Sequence, residues 1–358
     1  MKALKLSEPG GVVTIQDVET PTPSDGEILV KMEASGLCYT DVHICDGDWA
    51  MIDAKIKRDL TLGHEAIGII ESVGPGVEDL KVGERVAAPF LRSSCGKCKQ
   101  CRRGEENHCP NATALGMSHD GSHADYLVAV ADYVVGVPPG LSPEQAAPLA
   151  CAGLTVFSGL RKCGVGVGTR LGVIGIGGQG HYAIQLAKVM GASVYAMDVD
   201  PEKIELAMNL GADKAYLVSD ESIIPELAAI DMDVVMVTAP SHEAHRLAIG
   251  IVSFGGIISL CAVPGEETPI SMTASIFKAI RYLSQGVGTR QDLSDLLELA
   301  ATGVIKSHVE TRPLSAGPEA IDELRSRSIV GRVVFVPDEA SSQTSTPSRS
   351  MRLNSPDS

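Results

Sequence analysis

Between residues 171 and 263 short, continuously apolar runs alternate with longer mixed stretches. LGVIGIG (171–177), SVYAMD (193–198), MDVVMVTA (232–239) and GGIISLCAV (255–263) lack polar alternation. Strands buried on both faces of a parallel sheet have this composition. The segments between the first runs read as helices: GGQGHYAIQLAKVMG ends at Gly191, and PEKIELAMNLG opens on Pro201. Proline suits the first helical position and glycine the position just past the end. Strand, helix and strand repeated in this way predict an α/β unit with a doubly wound parallel sheet.

The first 150 residues have a different pattern. EILVKMEAS (27–35), AIGIIESVG (66–74) and ERVAAPF (84–90) are short, partly alternating and broken by Gly and Pro. They predict a β-rich unit with irregular loops. After 287 come a helical stretch, RQDLSDLLELAATG, and a last strand, GRVVFVP. Residues 338–358 are rich in Ser, Pro and Asp without periodicity, and disorder is expected there.

Composition narrows the partners. The chain has 358 residues, 44% of them hydrophobic, enough for two domains with real cores. Lys plus Arg number 30 and Asp plus Glu 45, a net charge of −15. That balance argues against a nucleic-acid or anionic-membrane partner. No apolar run reaches the length of a membrane span. The opening MKALKLSEPG lacks the basic-then-apolar pattern of a secretion signal, so a cytoplasmic chain with reduced thiols is expected.

Two motifs carry chemistry. Gly175, Gly177, Gly178 and Gly180 form GxGGxG after a buried run and before a helix. This is the context in which a glycine turn lets backbone approach a pyrophosphate at a helix N-terminus. Asp198 ends the next strand and is placed to bind ribose hydroxyls, favouring NAD over NADP. Lys203 lies within reach of the same ribose. The alternative is a structural glycine turn with a solvated Asp198. The second motif is CGKCKQCRRGEENHC, with Cys95, Cys98, Cys101 and Cys109 spaced C-x2-C-x2-C-x7-C. Four close thiolates suit a closed tetrahedral zinc site. A disulfide framework fits a reduced chain poorly. The ferredoxin spacing wants three residues, not seven, before its fourth cysteine.

A closed site cannot bind substrate, so catalytic metal chemistry needs a second, open one. Five of the nine cysteines remain, and spacing alone does not select among them. GLCYTDVH, GHEAIG, the four-cysteine run, ACAGLTV, GIGGQGH and GVGTRQDL occur in this order, and together they resemble the zinc-dependent alcohol dehydrogenases of the medium-chain dehydrogenase/reductase family. The resemblance covers residues 1 to about 337. It implies a GroES-like β-rich catalytic domain (1–150 and 288–337), a Rossmann NAD-binding domain (151–287) and an active site between them. It further implies two Zn2+ per chain, NAD+/NADH, an alcohol or aldehyde as substrate and a homo-oligomer, tetramer or dimer.

Residue by residue, the resemblance makes Cys38, His64 and Cys151 the catalytic zinc ligands. Glu65 matches a glutamate that approaches the metal, and Asp41 the acid that orients the histidine. Thr40 and His43 match a proton relay, Arg290 a contact to the cofactor pyrophosphate, and Trp49 and Phe90 the substrate pocket. Each has a plainer alternative: buried cysteine as a small hydrophobe, His64 as a core histidine, Thr40 and Asp41 as helix caps, His43 as a surface residue. Tyr39 departs from the pattern, standing where relatives often carry Arg or His near the cofactor phosphate. Cys rather than Glu at 151 favours simple alcohols over polyols. The rival functions are a polyol or other hydroxy-metabolite dehydrogenase, an aldehyde reductase, and a non-catalytic zinc- and NAD-binding protein.

Overall fold

The computed structural model describes residues 1–219, 221–265 and 267–338. Apart from Asp338, the tail expected to be disordered lies outside the described residues.

The apolar runs become a six-stranded parallel sheet. Its order is Lys214–Leu217, Ser193–Asp198, Arg170–Ile174, Met232–Val237, Val252–Leu260 and Arg281–Ser284. The order reverses between the strands at 170 and 232, and such a switch point opens a crevice at the carboxyl ends of the strands. Leu171, Val173, Val194, Ala196, Val235 and Met236 are fully buried, consistent with helices covering both faces. The helix Pro201–Asn209 starts where expected, with Asp200 accepting a hydrogen bond from the Glu202 amide at 2.9 Å.

The β-rich unit is built on a sheet ordered Val135–Gly136, Arg85–Ala88, Ala66–Val73, Glu27–Gly36, Arg332–Val336 and Val309–Pro313, with Tyr126–Val130 also on the strand at 27. A smaller sheet holds Lys2–Leu6, Val13–Asp17 and Leu60–Thr61. The chain thus returns from the parallel sheet to complete the first unit.

The helix between the two units bridges them. Helix Arg290–Ala301 does not pack with the β-rich sheet alone. It turns Leu293, Leu296 and Leu297 into the buried cluster that holds Leu154, Val156, Leu171 and Leu186. Its apolar stripe needs an apolar partner, and helix Ala152–Lys162 supplies one. Ser158 donates to Asp292 at 3.1 Å, and Arg161 pairs with the same carboxylate at 2.9 Å. The cluster also includes Ala34, Ile67 and Ala87, so the core is continuous across the junction of the two units.

Candidate active site

Four metal-binding side chains converge at that junction. Cys38 leaves the strand at 27 and caps the helix Tyr39–Asp46. His64 and Glu65 precede the strand at 66, and Cys151 caps the helix at 152. Their donor atoms lie within 4.8 Å of one another, and all four residues are buried. Both thiols stand at helix N-termini, where free amides and the helix dipole favour thiolate. The Cys151 hydrogen bond and then His64 hold the Cys38 thiol well below its ordinary value. Cys151 is raised by the same contact with Cys38 and by burial.

Neither ring nitrogen of His64 has a hydrogen-bond partner, although the residue is completely buried. Buried imidazoles are normally satisfied. An unsatisfied imidazole facing two thiols fits a Cys2His metal site with one open position. Asp41 stands behind the ring, its Oδ1 3.5 Å from His64 Nδ1, so Nε2 is left as the ligand. Burial alone would raise the Asp41 carboxyl, but the His64 and His123 rings hold it well below the usual carboxylate range. His64 in turn is raised above its ordinary value by Asp41 and Cys38, against the effect of burial.

Glu65 extends the site toward the cofactor side. Its Oε2 accepts from the Arg332 guanidinium, while Oε1 has no partner. Burial pushes the carboxyl up to about 7 against the pull of Arg332. Arg332 is 5% exposed and opens the last strand. A Cβ added to Gly178 would meet its Nη1 at 2.9 Å, so this cation lies against the glycine turn.

That turn lines a cleft of about 480 Å3 together with Cys38, Thr40, Asp198, Lys203 and Arg332. Gly180 is required there, because a Cβ would sit 1.9 Å from the Gly175 carbonyl oxygen. Asp198 is fixed by three backbone amides, Ile176 at 2.6 Å, Val199 at 2.8 Å and Asp200 at 3.1 Å. Lys203 Nζ is 3.9 Å from Asp200. His181 follows the turn fully buried; burial pushes it down to about 3, and its Nδ1 lies 3.1 Å from the Gly177 carbonyl oxygen.

The remaining sequence-derived residues divide. Thr40 and His43 line the cleft, with His43 Nδ1 2.6 Å from Asp48. Tyr39 also lines it, its ring edge-on to His43 at 4.9 Å. Phe90 stands edge-on to His64 at 5.3 Å, and the Trp49 ring lies 4.8 Å from His43. Arg290 is elsewhere. It holds Glu106 at 2.8 and 2.6 Å, donates to the Asp132 carbonyl and lies 4.4 Å over the Tyr133 ring. Its guanidinium is occupied by a carboxylate beside the four-cysteine run, away from the glycine turn.

That run forms the second cluster, with the four sulfurs within 4.8 Å of one another. Amides of Cys95 and Cys101 point at Sγ of Cys109 and Cys98, at 3.4 and 3.5 Å, as suits thiolates. Backbone amides of Lys97 and Cys98 bring the Cys95 thiol down to about 6. The donors fit a closed tetrahedral metal site. Sequence reasoning overlooked Arg332 and His123. An arginine entering a fully apolar strand was the available signal for the first; nothing local marked the second.

A glycine-turn parallel sheet joined to a β-rich unit, with two buried thiols and an imidazole at the joint, defines a metal-site dehydrogenase. The comparisons narrow this. Residues 24–139 match the family model described as the alcohol dehydrogenase GroES-like domain, and residues 178–302 match the zinc-binding dehydrogenase model. An alcohol dehydrogenase of Geobacillus stearothermophilus is 40% identical over 342 residues, covering 94% of this chain and all (100%) of that one. The alcohol dehydrogenase structure of the archaeon Aeropyrum pernix superposes with a TM-score of 0.87 at 30% identity, covering 94% of this chain and 100% of that chain. Acetophenone reductase of Geotrichum candidum, solved in complex with NAD, gives 0.84 at 29% identity, covering 94% and 97%. The chain belongs to the zinc-type alcohol dehydrogenases of the medium-chain dehydrogenase/reductase family and is an oxidoreductase acting on alcohols. Among the described residues no helix is long and apolar enough to cross a membrane.

Proposed function

We propose that the chain is an NAD-linked, zinc-dependent alcohol dehydrogenase that interconverts simple alcohols with aldehydes or ketones. The observation that carries this reading is that Cys38, one of three buried Cys2His donors, opens into the same cleft as the glycine turn. Cys38, His64 and Cys151 would hold the catalytic ion, and the four-cysteine lobe a structural one, giving two per chain. When bound, zinc would polarise the substrate oxygen as a Lewis acid and the nicotinamide would accept the hydride. The chain's own residues do the rest. Thr40 takes the hydroxyl proton and passes it toward His43, whose ring is fixed by Asp48. Arg332 and Lys203 offer positive charge to the cofactor phosphates and ribose. The carboxylate of Asp198 repels a 2′-phosphate. The NAD complex of the Geotrichum candidum reductase supports the choice of cofactor.

The substrate is a small alcohol or aldehyde, with no nucleic-acid or membrane partner, in keeping with the acidic chain. A homo-oligomer is supported by the open edge strand Arg281–Ser284 and the exposed Phe254, Ile276 and Phe277. Nine free cysteines accord with a reducing cytoplasm. The test combines metal analysis with a rate panel of ethanol, benzyl alcohol, butanediol, sorbitol and the matching carbonyls, using both cofactors. Two zinc ions and NAD-dependent turnover of simple alcohols are expected. Turnover retained by Cys38→Ser or His64→Ala overturns the site.

A further inference from the structure

We propose that His123 is a positioning residue of this metal site, holding the Asp41 carboxylate against the His64 ring. The inference rests on the reading of Cys38, His64 and Cys151 as metal ligands.

Asp41 has two oxygens and four neighbours with hydrogen to offer. Oδ1 accepts from the Gly63 amide at 3.1 Å and faces His64 Nδ1 at 3.5 Å. Oδ2 accepts from the Cys38 amide at 3.0 Å and faces His123 Nε2 at 3.6 Å. The carboxylate therefore touches both ligand-bearing segments, and His123 closes its last side. All three side chains are completely buried, so no solvent competes for these contacts.

The direction of the His123 proton follows from the carboxylate it faces, and the hydroxyls behind it can accommodate it. His123 Nδ1 is 2.7 Å from Ser35 Oγ, which is 2.7 Å from Ser122 Oγ. If Ser122 donates to Ser35 and Ser35 to Nδ1, the neutral imidazole carries its hydrogen on Nε2, toward Asp41. The reverse tautomer would aim a lone pair at a carboxylate, which is repulsive. At 3.6 Å this is an electrostatic contact rather than a short hydrogen bond. It acts on a carboxylate already anchored by two amides, and its effect is to fix the angle at which the carboxylate meets His64.

The backbone makes His123 suited to this task. Amides of Gly121, Ser122 and His123 donate to the carbonyls of Thr61, Gly63 and Leu62 at 2.8, 3.0 and 2.9 Å. The segment carrying His123 is thus laced to the one carrying His64. Gly63 has φ +95°, and a Cβ there would stand 2.6 Å from His123 Nδ1. The ring occupies the space a side chain at 63 would need, and Phe335 meets it edge-on at 4.9 Å. A histidine kept only to fill volume would not need a hydroxyl on one nitrogen and a carboxylate beside the other. Partners behind a histidine ligand set its tautomer and orientation, and their loss weakens metal binding about 10- to 100-fold.

The experiment uses full-length protein loaded with zinc, and follows release of both ions to a coloured chelator. The four-cysteine lobe serves as the internal reference. His123→Phe, which keeps the ring volume, should release the ion of the Cys38 cluster about 10- to 100-fold faster while the reference is unchanged. His123→Gln, which can still offer an N–H to Asp41, should recover most of the loss. Ser35→Ala, which leaves the ring in place but frees its orientation, should fall between. Cobalt substituted at the Cys38 cluster should show shifted visible bands in His123→Phe and near-parental bands in His123→Gln. Two-ion protein in which the Phe and Ala variants match the parent in release and spectrum overturns this inference alone. A parent that retains a single ion, in the four-cysteine lobe, overturns the site reading with it.

Discussion

Removing one member of the Glu65–Arg332 pair is the most informative perturbation of the site. Glu65 is 0% and Arg332 5% exposed, so neither charge has water to fall back on. Removing the glutamate charge strands the guanidinium, at about 3–5 kcal/mol, whereas removing Arg332 lets Glu65, already pushed up to about 7, take a proton at smaller cost. Against a usual total of about 5–15 kcal/mol, Glu65→Gln alone is a large fraction of stability. Neutralising both removes the stranded charge, so the double variant should recover most of the loss. The coupling energy between the sites should exceed about 2 kcal/mol. Chemical unfolding at fixed excess zinc, read by the single tryptophan, gives all four corners of the cycle. That residue, Trp49, packs 4.8 Å from His43 and so reports the unit that carries the pair. A coupling below about 0.5 kcal/mol refutes the argument. Cofactor binding by the same proteins separates stability from function. Because Arg332 borders Gly178, Arg332→Met should weaken NADH binding and Glu65→Gln much less.

Three further outcomes are expected. Asp198→Ala should narrow the preference for NAD over NADP in steady-state kinetics with each cofactor; an unchanged ratio removes its role. His181 falls to about 3 in the fold from an ordinary 6.5, so the unfolded chain takes up its proton first as pH drops. Its share of stability is present above pH 6.5 and is lost between 6.5 and about 3, a few kcal/mol at most. His181→Gln should flatten the acid limb of a stability–pH curve. Arg290→Ala should loosen the four-cysteine lobe by roughly 1 kcal/mol, since the pair with Glu106 is partly exposed. It should leave the cofactor dissociation constant within about twofold, and a tenfold loss would return Arg290 to the cofactor site.

What the sequence revealed depended on how local the determining physics was. The strands at 170, 193 and 232 are legible because burial on both faces forces unbroken apolar runs. The cysteines from 95 to 109 are legible because all four donors are contained in one loop. Cys38, His64 and Cys151 needed the family resemblance, since no spacing rule connects three separate segments. Arg290 was misplaced because its partner, Glu106, is remote in sequence and sits in the cysteine loop. The same remoteness hid Arg332 from Glu65 and His123 from Asp41. The second partner of helix 290–301, helix Ala152–Lys162, was hidden for a related reason: an apolar stripe states that a partner exists but not which one.

The position of Arg332–Val336 within its sheet bears on how the chain is made. This strand lies between Glu27–Gly36 and the edge strand Val309–Pro313, and joins that edge strand to the rest of the β-rich sheet. A chain emerging from the ribosome has all six strands of the parallel sheet once residue 284 is out. The unit begun first waits for the last described strand, and with it for the cation that meets Glu65. Domains generally fold as units during synthesis, and a unit whose strands are all present can do so first. The parallel-sheet half is therefore complete before the β-rich half, and a chain stopped short of residue 332 would carry Glu65 without its cation and the strand Glu27–Gly36 without this neighbour.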